Sequence, residues 1–207
     1  MHGSAPQGST ADPKRQLIVR HARSHFISGG YAATKVEPIA RDAGVSTATL
    51  YALIGGKAEL FAAVIDDAAE DFAGRMTHVR GAGGDARTAL LSFAEAYAGF
   101  MAAPFVRATF RLVMAERPRF EVVARRFFEK GRNEFGAPLI ELLGRLSASG
   151  ALHPMDHPSW AAGQLMGMIE HPVFFVPLVT GDEVFAERPP AQVAADAVET
   201  FLARYAA

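Results

Sequence analysis

Residues 43–60 have the sequence AGVSTATLYALIGGKAEL, and this stretch decides the fold. Gly44 and a hydroxyl-rich turn separate two short helical segments, and the second segment ends before Gly55 and Gly56. A glycine has no Cβ, so it lets the chain turn sharply between two helices that cross steeply. Ser46 is a favoured residue for capping the start of a helix. The stretch therefore predicts a helix-turn-helix whose second helix is capped by Ser46.

The residues that such a motif needs lie at suitable spacing on both sides of the turn. Ala40 is small enough for the helix crossing, and four apolar residues can point inward, namely Ile39, Val45, Leu50 and Leu53. The remaining positions of the second helix are small or carry a hydroxyl: Thr47, Ala48, Thr49, Tyr51 and Ala52. Such side chains fit the major groove of DNA, where hydroxyls bond base edges or phosphates and methyl groups contact thymine.

The composition is that of an ordinary soluble globular protein, but the charge is distributed unevenly. Half of the 207 residues are hydrophobic, 21% are charged, and the absence of cysteine excludes disulfides and thiolate metal sites. Residues 13–60 hold seven basic and three acidic residues, whereas residues 61–207 hold 14 basic and 18 acidic residues. This difference favours an amino-terminal segment that binds a polyanion, although random scatter of charge also produces it. The longest apolar run, residues 172–179, is too short to cross a bilayer, so we expect a cytoplasmic protein without a membrane partner.

Helical periodicity runs through almost the whole chain, which predicts an all-α fold. Residues 1–12 are small and polar and are expected to form a disordered tail. Glycines and prolines divide the rest into predicted helices at about 13–28, 34–44, 46–53, 57–79, 85–102, 104–116, 119–148, 157–177 and 190–205. Thr34 and Glu37 match a T-x-x-E capping box at the start of the second helix. The glycine-rich residues 81–84 are the expected break in the middle of the chain.

One ordered set of residues near the amino end matches a known family. Its members are Phe26, Gly30, Tyr31, Thr34, Val36, Ile39, Ala40, Ala43, Gly44, Val45, Ser46, Thr49, Leu50, Tyr51, Lys57 and Leu60. From Leu17 to Leu60 the chain resembles the DNA-binding domain of the TetR family of bacterial transcriptional regulators. Residues 105–148 resemble, more loosely, the C-terminal part of AcrR- and AefR-related members. The resemblance implies a helix-turn-helix domain at 13–56 and a larger helical effector-binding and dimerisation domain at 57–207, with the fourth helix as the linker.

The resemblance further implies a homodimeric repressor that binds a near-palindromic operator in double-stranded DNA and is released by a small molecule. The residues that it places at DNA are Thr34, Lys35, Ser46, Thr47, Ala48, Thr49, Tyr51 and Lys57. Tyr51 and Lys57 would bind phosphates, and Thr34 would hold another phosphate together with the N–H groups that open the second helix. Two alternatives stay open, in which Tyr51 is a core aromatic and Thr34 is only a helix cap.

The chain departs from the family pattern at several positions. Leu53 stands where the family has a phosphate-binding histidine, and Gly55 and Gly56 stand where a serine or asparagine caps the fourth helix. Both departures lower the DNA affinity that we expect. His21 and His25 have the spacing of two metal ligands on one helix, but no third ligand lies near them. We therefore expect half-buried polar residues there, and neither a metal nor another cofactor.

Aromatic residues at helical spacing are ordinarily core, but the helices of the family's C-terminal domain surround a cavity. We therefore expect a small, largely hydrophobic effector that contacts some of Phe93, Tyr97, Phe110, Met114 and Phe128. The last two helices are implied to form the dimer interface through Met166, Ile169, Val173, Val198, Phe201 and Leu202. Glu170 and His171 interrupt an apolar run, and three roles stay open for the carboxylate: contact with a cationic effector, pairing across the dimer, or exposure to solvent.

Two other classes of function are less consistent with the sequence. The chain lacks G-x-S-x-G, phosphate-loop, cysteine-nucleophile and H-E-x-x-H motifs, so we do not expect an enzyme. His153, Asp156 and His157 form a cluster, but the neighbouring prolines suit a polar loop better than a metal site. The remaining alternative is a helical ligand- or partner-binding protein with weakened DNA affinity, which Leu53 and Gly56 would allow.

Overall fold

Every secondary-structure element of the computed structural model is helical, within the described residues 12–72, 85–181 and 188–207. A single isolated bridge in these ranges joins Leu152 to Ala206. The predicted all-α fold is therefore confirmed. The predicted tail at 1–12 lies outside the described residues except for Asp12, and the predicted break at 81–84 lies wholly outside them. Packing divides the chain into two compact units, the head Met1–Asp67 and the body Ala68–Ala207.

The head is built from the four predicted helices, but the first ends later and the fourth ends earlier than predicted. They are α1 Pro13–Ala33, α2 Val36–Asp42, α3 Thr47–Ile54 and most of α4 Lys57–Glu70. Gly30 has a φ of 70° and interrupts α1, and Gly44 has a φ of 66° in the turn between α2 and α3. A side chain with a Cβ is strained at such angles, which explains glycine at both turns. The predicted helix-turn-helix is present, and Ser46 caps α3 as predicted.

The capping box predicted at the start of the second helix is wrong. α2 begins at Val36, and its N-cap residue Lys35 makes no side-chain capping bond. The hydroxyl of Thr34 is directed instead at the carbonyl oxygens of His25, at 3.0 Å, and of Gly30, at 2.6 Å. Carbonyls in the last turns of a helix lose their helical N–H partners, and bonds of this kind offset that loss. Thr34 therefore caps the C-terminal end of α1.

Three aromatic rings from α1 and α4 form the centre of the head. Phe26 stacks on Tyr31 with ring centroids 5.9 Å apart, and the ring of Phe61 meets both of them edge-on, at 5.4 and 5.3 Å. Aromatic pairs of this geometry contribute about 0.5–1.5 kcal/mol beyond the burial of their area. Apolar side chains of the first three helices are also fully buried, namely Ile18, Ile39 and Leu50.

The body follows the predicted order of helices, with two local changes. After the end of α4 come α5 Ala86–Met101, α6 Pro104–Glu116, α7 Glu121–Gly131, α8 Ala137–Ala148, α9 Pro158–Glu170, α10 Val176–Thr180 and α11 Pro190–Tyr205. α7 continues into α8 through a π-helical turn, π1 (Arg132–Gly136), and α9 continues into α10 through π2 (His171–Phe175). Both π turns lie inside helices predicted at 119–148 and 157–177, and neither turn was predicted. α11 packs against α5 and α9.

A proline two residues after each π turn explains why the turns form. Pro177, for example, has no N–H to donate to the carbonyl of Val173 four residues earlier. The N–H of Val176 bonds five residues back to His171, which is the π-helical pattern. The carbonyl of Val173 accepts a hydrogen bond from the buried Arg107 guanidinium at 3.5 Å. An arginine on α6 thus compensates for the hydrogen bond that the proline removes.

A long apolar helical segment is only partly covered by the rest of the chain. α9, π2 and α10 form a 23-residue segment, Pro158–Thr180, that is long and apolar enough to cross a membrane by length and composition alone. The unbroken apolar run at 172–179, from which no membrane span was predicted, is only part of this segment. In the described part of the chain, 28% of its 18-residue apolar window is buried. Two bent pairs, α3 with α4 and α5 with α6, meet the same test only if each pair is counted as one span.

Candidate functional site

The outward surface of α3 has the exposure expected of a helix that contacts DNA. Thr47 and Ala48 are exposed, and Tyr51 is 50% exposed. Leu50, between them, is fully buried and anchors the helix in the head. A tyrosine this exposed is not a core aromatic, so its hydroxyl is available to a partner. Threonine and tyrosine hydroxyls on such a surface can bond phosphates and base edges.

Two further hydroxyls stabilise the start of α3. The Oγ atom of Ser46 accepts a hydrogen bond from the N–H of Thr49 at 3.0 Å, and the two hydroxyl oxygens lie 2.8 Å apart. Ser46 is exposed, whereas Thr49 is half-buried. Because these hydroxyls are engaged with the helix, Thr47 and Ala48 offer the more accessible side chains of this surface.

The three predicted DNA-binding residues outside α3 have different surroundings. Lys35 is exposed. Lys57 is half-buried, donates through Nζ to the carbonyl of Ala32 at 3.1 Å and lies 4.6 Å from the centre of the Tyr31 ring. A lysine ammonium has three donors, so Lys57 retains donors for a phosphate. Thr34 is 6% exposed and its hydroxyl is directed at helix carbonyls, which favours its role as a cap.

Two interactions that the sequence analysis missed fix the ends of the head helices. The N–H of Gly56 donates to Oε2 of Glu59 at 2.8 Å, which supplies half of a capping box at the start of α4. A glutamate three residues after the cap position was the sequence signal for it. Nε2 of His25 lies 2.7 Å from Oδ2 of Asp42 and joins α1 to α2. This hydrogen bond is the main reason that the pKa of Asp42 is lowered.

The body contains a cavity of about 440 Å³ whose wall is mainly aromatic. Eight aromatic residues line it: Phe72, Tyr97, Phe100, Phe110, Phe127, Phe128, Phe135 and Phe174. Phe110 contacts Phe127 and Phe174 edge to face, with ring centroids 5.0 and 4.9 Å apart. Small-molecule sites in proteins are typically apolar cavities of about 300–1,000 Å³ with a few polar groups.

Tyr97, Glu170 and Arg132 supply the main polar groups of this cavity. The hydroxyl of Tyr97 donates to Oε1 of Glu170. Burial, and then the negative charge of Glu170, raise the pKa of Tyr97 well above its ordinary value, so the tyrosine stays neutral. Glu170 is half-buried and lines the cavity. Of the positions that the sequence left open for this carboxylate, it therefore occupies the one at the cavity. Arg132 is the first residue of π1.

Comparisons with known proteins identify the family. The family described as "AefR-like transcriptional repressor, C-terminal domain" matches residues 88–207, which is more than half of the chain. The family described as "Bacterial regulatory proteins, tetR family" matches residues 18–64. The chain belongs to the TetR family. This TetR-family protein is thus a transcriptional regulator with a helix-turn-helix DNA-binding domain, and the family that we predicted is confirmed. No curated protein matches the sequence.

Solved structures share the fold over nearly the whole chain. A protein from Mesorhizobium loti described as a TetR-family transcriptional regulator is 26% identical, over 97% of this chain and 100% of that chain, with a TM-score of 0.79. The flavonoid-responsive regulator FrrA is 28% identical, over 93% of this chain and 97% of that chain, with a TM-score of 0.71. A TetR transcriptional regulator from Agrobacterium tumefaciens is 22% identical, over 95% and 96% of the two chains, with a TM-score of 0.74, and shows likeness of fold alone.

The predicted effector residues of this TetR-family regulator lie in three kinds of place. Tyr97, Phe110 and Phe128 line the cavity. Phe93 is fully buried and stacks on Tyr97 with centroids 5.7 Å apart, so it lies in the core outside the lining. Met114 is 51% exposed and also lies outside the lining. Helical spacing groups residues on one face of a helix but does not show how deep each of them lies.

Most of the residues predicted at the dimer interface are buried within a single chain. Four of them are at most 4% exposed in a single chain: Ile169, Val173, Val198 and Phe201. Met166 lines the cavity, and Leu202 is half-buried. An amphipathic helix buries its most apolar stripe in its own core first. If α9 and α11 form the dimer interface, other residues on these helices, next to the buried ones, would therefore contact the second copy of the TetR-family regulator.

Several cavity residues were not predicted. Phe72, two residues after the end of α4, and Phe135 were not predicted, although Phe135 lies eight residues after Phe127 and therefore on a similar helical face. Arg132 had no signal in the sequence, because its place in the wall depends on the π turn.

Proposed function

We propose that this TetR-family regulator is a cytoplasmic, homodimeric repressor that a small, largely apolar effector releases from DNA. Each head would bind one half of a near-palindromic operator through α3. The observation that carries the proposal is the aromatic cavity of about 440 Å³ in the body of a chain whose head exposes a recognition helix. The match of residues 88–207 to AefR-like transcriptional repressors supports the repressor role.

Phe72 offers a route from the cavity toward the head along the chain. Its ring lines the cavity and packs against Phe100 at 5.2 Å and Phe127 at 5.0 Å. It follows the last residue of α4 by two positions, and α4 begins at Lys57 in the head. A ligand that displaces the ring would act on the end of α4. A preference of roughly 5.5 kcal/mol for one arrangement moves a population from 1:99 to 99:1.

A second copy of the chain is the proposed cover for the apolar segment Pro158–Thr180. Phe175 is 52% exposed and Val179 is 68% exposed. A hollow of about 400 Å³ lies beside this segment and is lined by Met168, Pro172 and Val193 among others. Homodimer interfaces are more apolar than the remaining surface, so pairing there would cover these side chains. In such a dimer the two α3 helices must lie about 34–36 Å apart, or a multiple of it, to enter successive major grooves.

The similarity to FrrA favours an aromatic effector. FrrA is described as a flavonoid-responsive regulator and is 28% identical to this chain. Flavonoids are flat aromatic molecules, and the eight aromatic side chains of the cavity would provide stacking and edge contacts for a molecule of that shape.

The combined substitution Tyr51→Phe and Lys57→Ala tests the DNA-binding surface. Both changes remove proposed phosphate contacts, so affinity should fall for every duplex and its salt dependence should become shallower. Fluorescence anisotropy titrations with generic duplex at low and moderate salt measure both quantities. Arg125→Ala is the control, because Arg125 is exposed on α7 and pairs with Glu121. Unchanged affinity and unchanged salt slope in the double variant would contradict the proposed contacts.

A further inference from the structure

The polar groups of the cavity define the chemistry of its ligand. We infer that the cavity selects a planar aromatic molecule that carries both a hydroxyl group, bound by Glu170, and an anionic group, bound by Arg132. This inference rests on the proposed function, in which the same cavity binds the effector. It names the ligand class as a hydroxylated aromatic carboxylate.

The pair of Tyr97 and Glu170 requires a donor from the ligand. A carboxylate only accepts hydrogen bonds, and the single hydroxyl proton of Tyr97 is already donated to it. Tyr97 keeps that proton because burial and the neighbouring charge raise its pKa. The pair therefore presents acceptor oxygens to the cavity. A ligand that lacks a donor would leave the carboxylate without the hydrogen bonds that water otherwise gives it.

Arg132 favours the opposite kind of ligand group, an acceptor that carries negative charge. Lys130, two residues earlier, is engaged with Glu70 at 3.2 Å and with Glu134 at 3.7 Å. Among the residues that the structure describes, no ion pair or hydrogen bond involves the guanidinium of Arg132. The arginine is exposed, and it lines the cavity together with Gly136 on π1. An unpaired guanidinium in a ligand cavity favours a carboxylate, which it can bind through two parallel hydrogen bonds.

The two charged groups together favour a ligand that complements both of them. A purely apolar molecule would satisfy neither Glu170 nor Arg132. An aromatic cation would meet the carboxylate of Glu170 but would leave Arg132 without an anionic partner. A hydroxylated aromatic carboxylate satisfies both groups and fills the space between the rings, so its two substituents should contribute separately.

Three naphthalene probes separate the contributions of the two substituents. 6-Hydroxy-2-naphthoate carries both groups, 2-naphthoate carries only the carboxylate and 2-naphthol carries only the hydroxyl. In calorimetric titrations of the full chain, the first probe should bind tightest, and loss of either group should weaken binding about tenfold, as expected for one hydrogen bond to a charged group. The Glu170→Gln variant should reduce the advantage of the hydroxyl only, because a neutral amide oxygen accepts a weaker hydrogen bond than a carboxylate does. The Arg132→Gln variant should remove the advantage of the carboxylate only.

Control variants and a cationic probe test whether the inference is wrong. Arg125→Gln, on an arginine outside the cavity lining, should bind all three probes like the wild type. Thermal melts check that each variant is folded, and Glu170→Gln preserves the size of the side chain. Equal affinity for the three probes, no binding of any of them, or tighter binding of 2-naphthylmethylammonium would overturn the inference.

The same probes, added to the protein bound to duplex DNA, distinguish this inference from the proposed function. Release of DNA by the cationic probe alone would leave an effector-released regulator standing and would refute the ligand class. Binding of 6-hydroxy-2-naphthoate with the expected pattern, but without any release of DNA, would support the ligand class and contradict the proposed release.

Discussion

Tyr97 shows how one buried residue makes stability depend on pH. Its pKa in the folded protein is raised, chiefly by burial and then by the charge of Glu170, whereas an unfolded tyrosine ionises near pH 10. The folded state therefore holds the proton more tightly than the unfolded state does. The stability linked to this residue is present below about pH 10 and is lost as the pH rises above it.

The variant Tyr97→Phe tests this dependence. Urea unfolding at pH 8 and pH 10.5 should show a smaller loss of stability at high pH in the variant than in the wild type, since only the wild type has this proton to lose on unfolding. At pH 8 the variant should already be less stable, because it lacks the hydrogen bond to Glu170. An equal loss of stability in the two proteins between these pH values would count against the raised pKa.

Single residues differed in how well the sequence predicted them. Ser46 was correctly assigned as a cap, because a cap bond forms between residues three apart and depends on local sequence alone. Thr34 was assigned to the wrong helix, because its hydroxyl is directed at carbonyls as far as nine residues away, beyond Gly30. The glycine angles at the two turns followed from residue type, whereas the depth of Phe93 and Met114 depended on packing between helices.

At the scale of the element, α3 combines a cap with an exposed surface, and two variants separate these roles. Ser46→Ala removes the hydrogen bond to the N–H of Thr49 and should lower the free energy of unfolding by about 1 kcal/mol. Thr47→Ala removes an exposed side chain without a cap bond, so stability should hold while DNA affinity falls. Urea unfolding and anisotropy titration measure the two quantities. A loss of stability in Thr47→Ala with unchanged DNA affinity would reverse the assignment.

The existence of most helices could be predicted, but not the π turns. Periodicity and the prolines gave helices at 119–148 and 157–177, and the chain is indeed helical through both regions. A π turn inserts one residue but leaves the chain helical on both sides, so a search for helical segments does not reveal it. The turns change which side chains face the cavity, and Arg132 and Phe174 line it from π1 and π2.

At the scale of the whole molecule, the exposed apolar segment predicts the site of dimerisation. Phe175→Glu with Val179→Glu should place charges in the proposed interface and shift the protein from dimer to monomer. Light scattering coupled to size-exclusion chromatography measures the mass. Both side chains are largely exposed in a single chain, so the fold should survive.

Val122→Glu provides the matched control. Val122 is 70% exposed but lies on α7, outside the segment Pro158–Thr180, so this variant should remain a dimer. If the double variant stays dimeric, or if the control is the one that dissociates, the interface lies elsewhere.

The recognition surface could be predicted further than the interface could. Local signals place the turn, the cap and the outward face of α3 within one short stretch. The interface depends on which apolar side chains remain after the body has packed, and four predicted residues proved to be buried within their own chain. The cavity was predicted in part. Its aromatic character could be predicted from the composition, but the residues that line it could not.

Selection of bound duplexes from a random pool tests most directly whether the regulator recognises DNA through paired heads. The full chain should enrich an inverted repeat whose half-site centres are about 10–10.5 base pairs apart, or a multiple of that distance. The variant Thr47→Ala with Tyr51→Phe should enrich no such repeat. Recovery of no common sequence by the wild type, or the same repeat from the variant, would contradict the account.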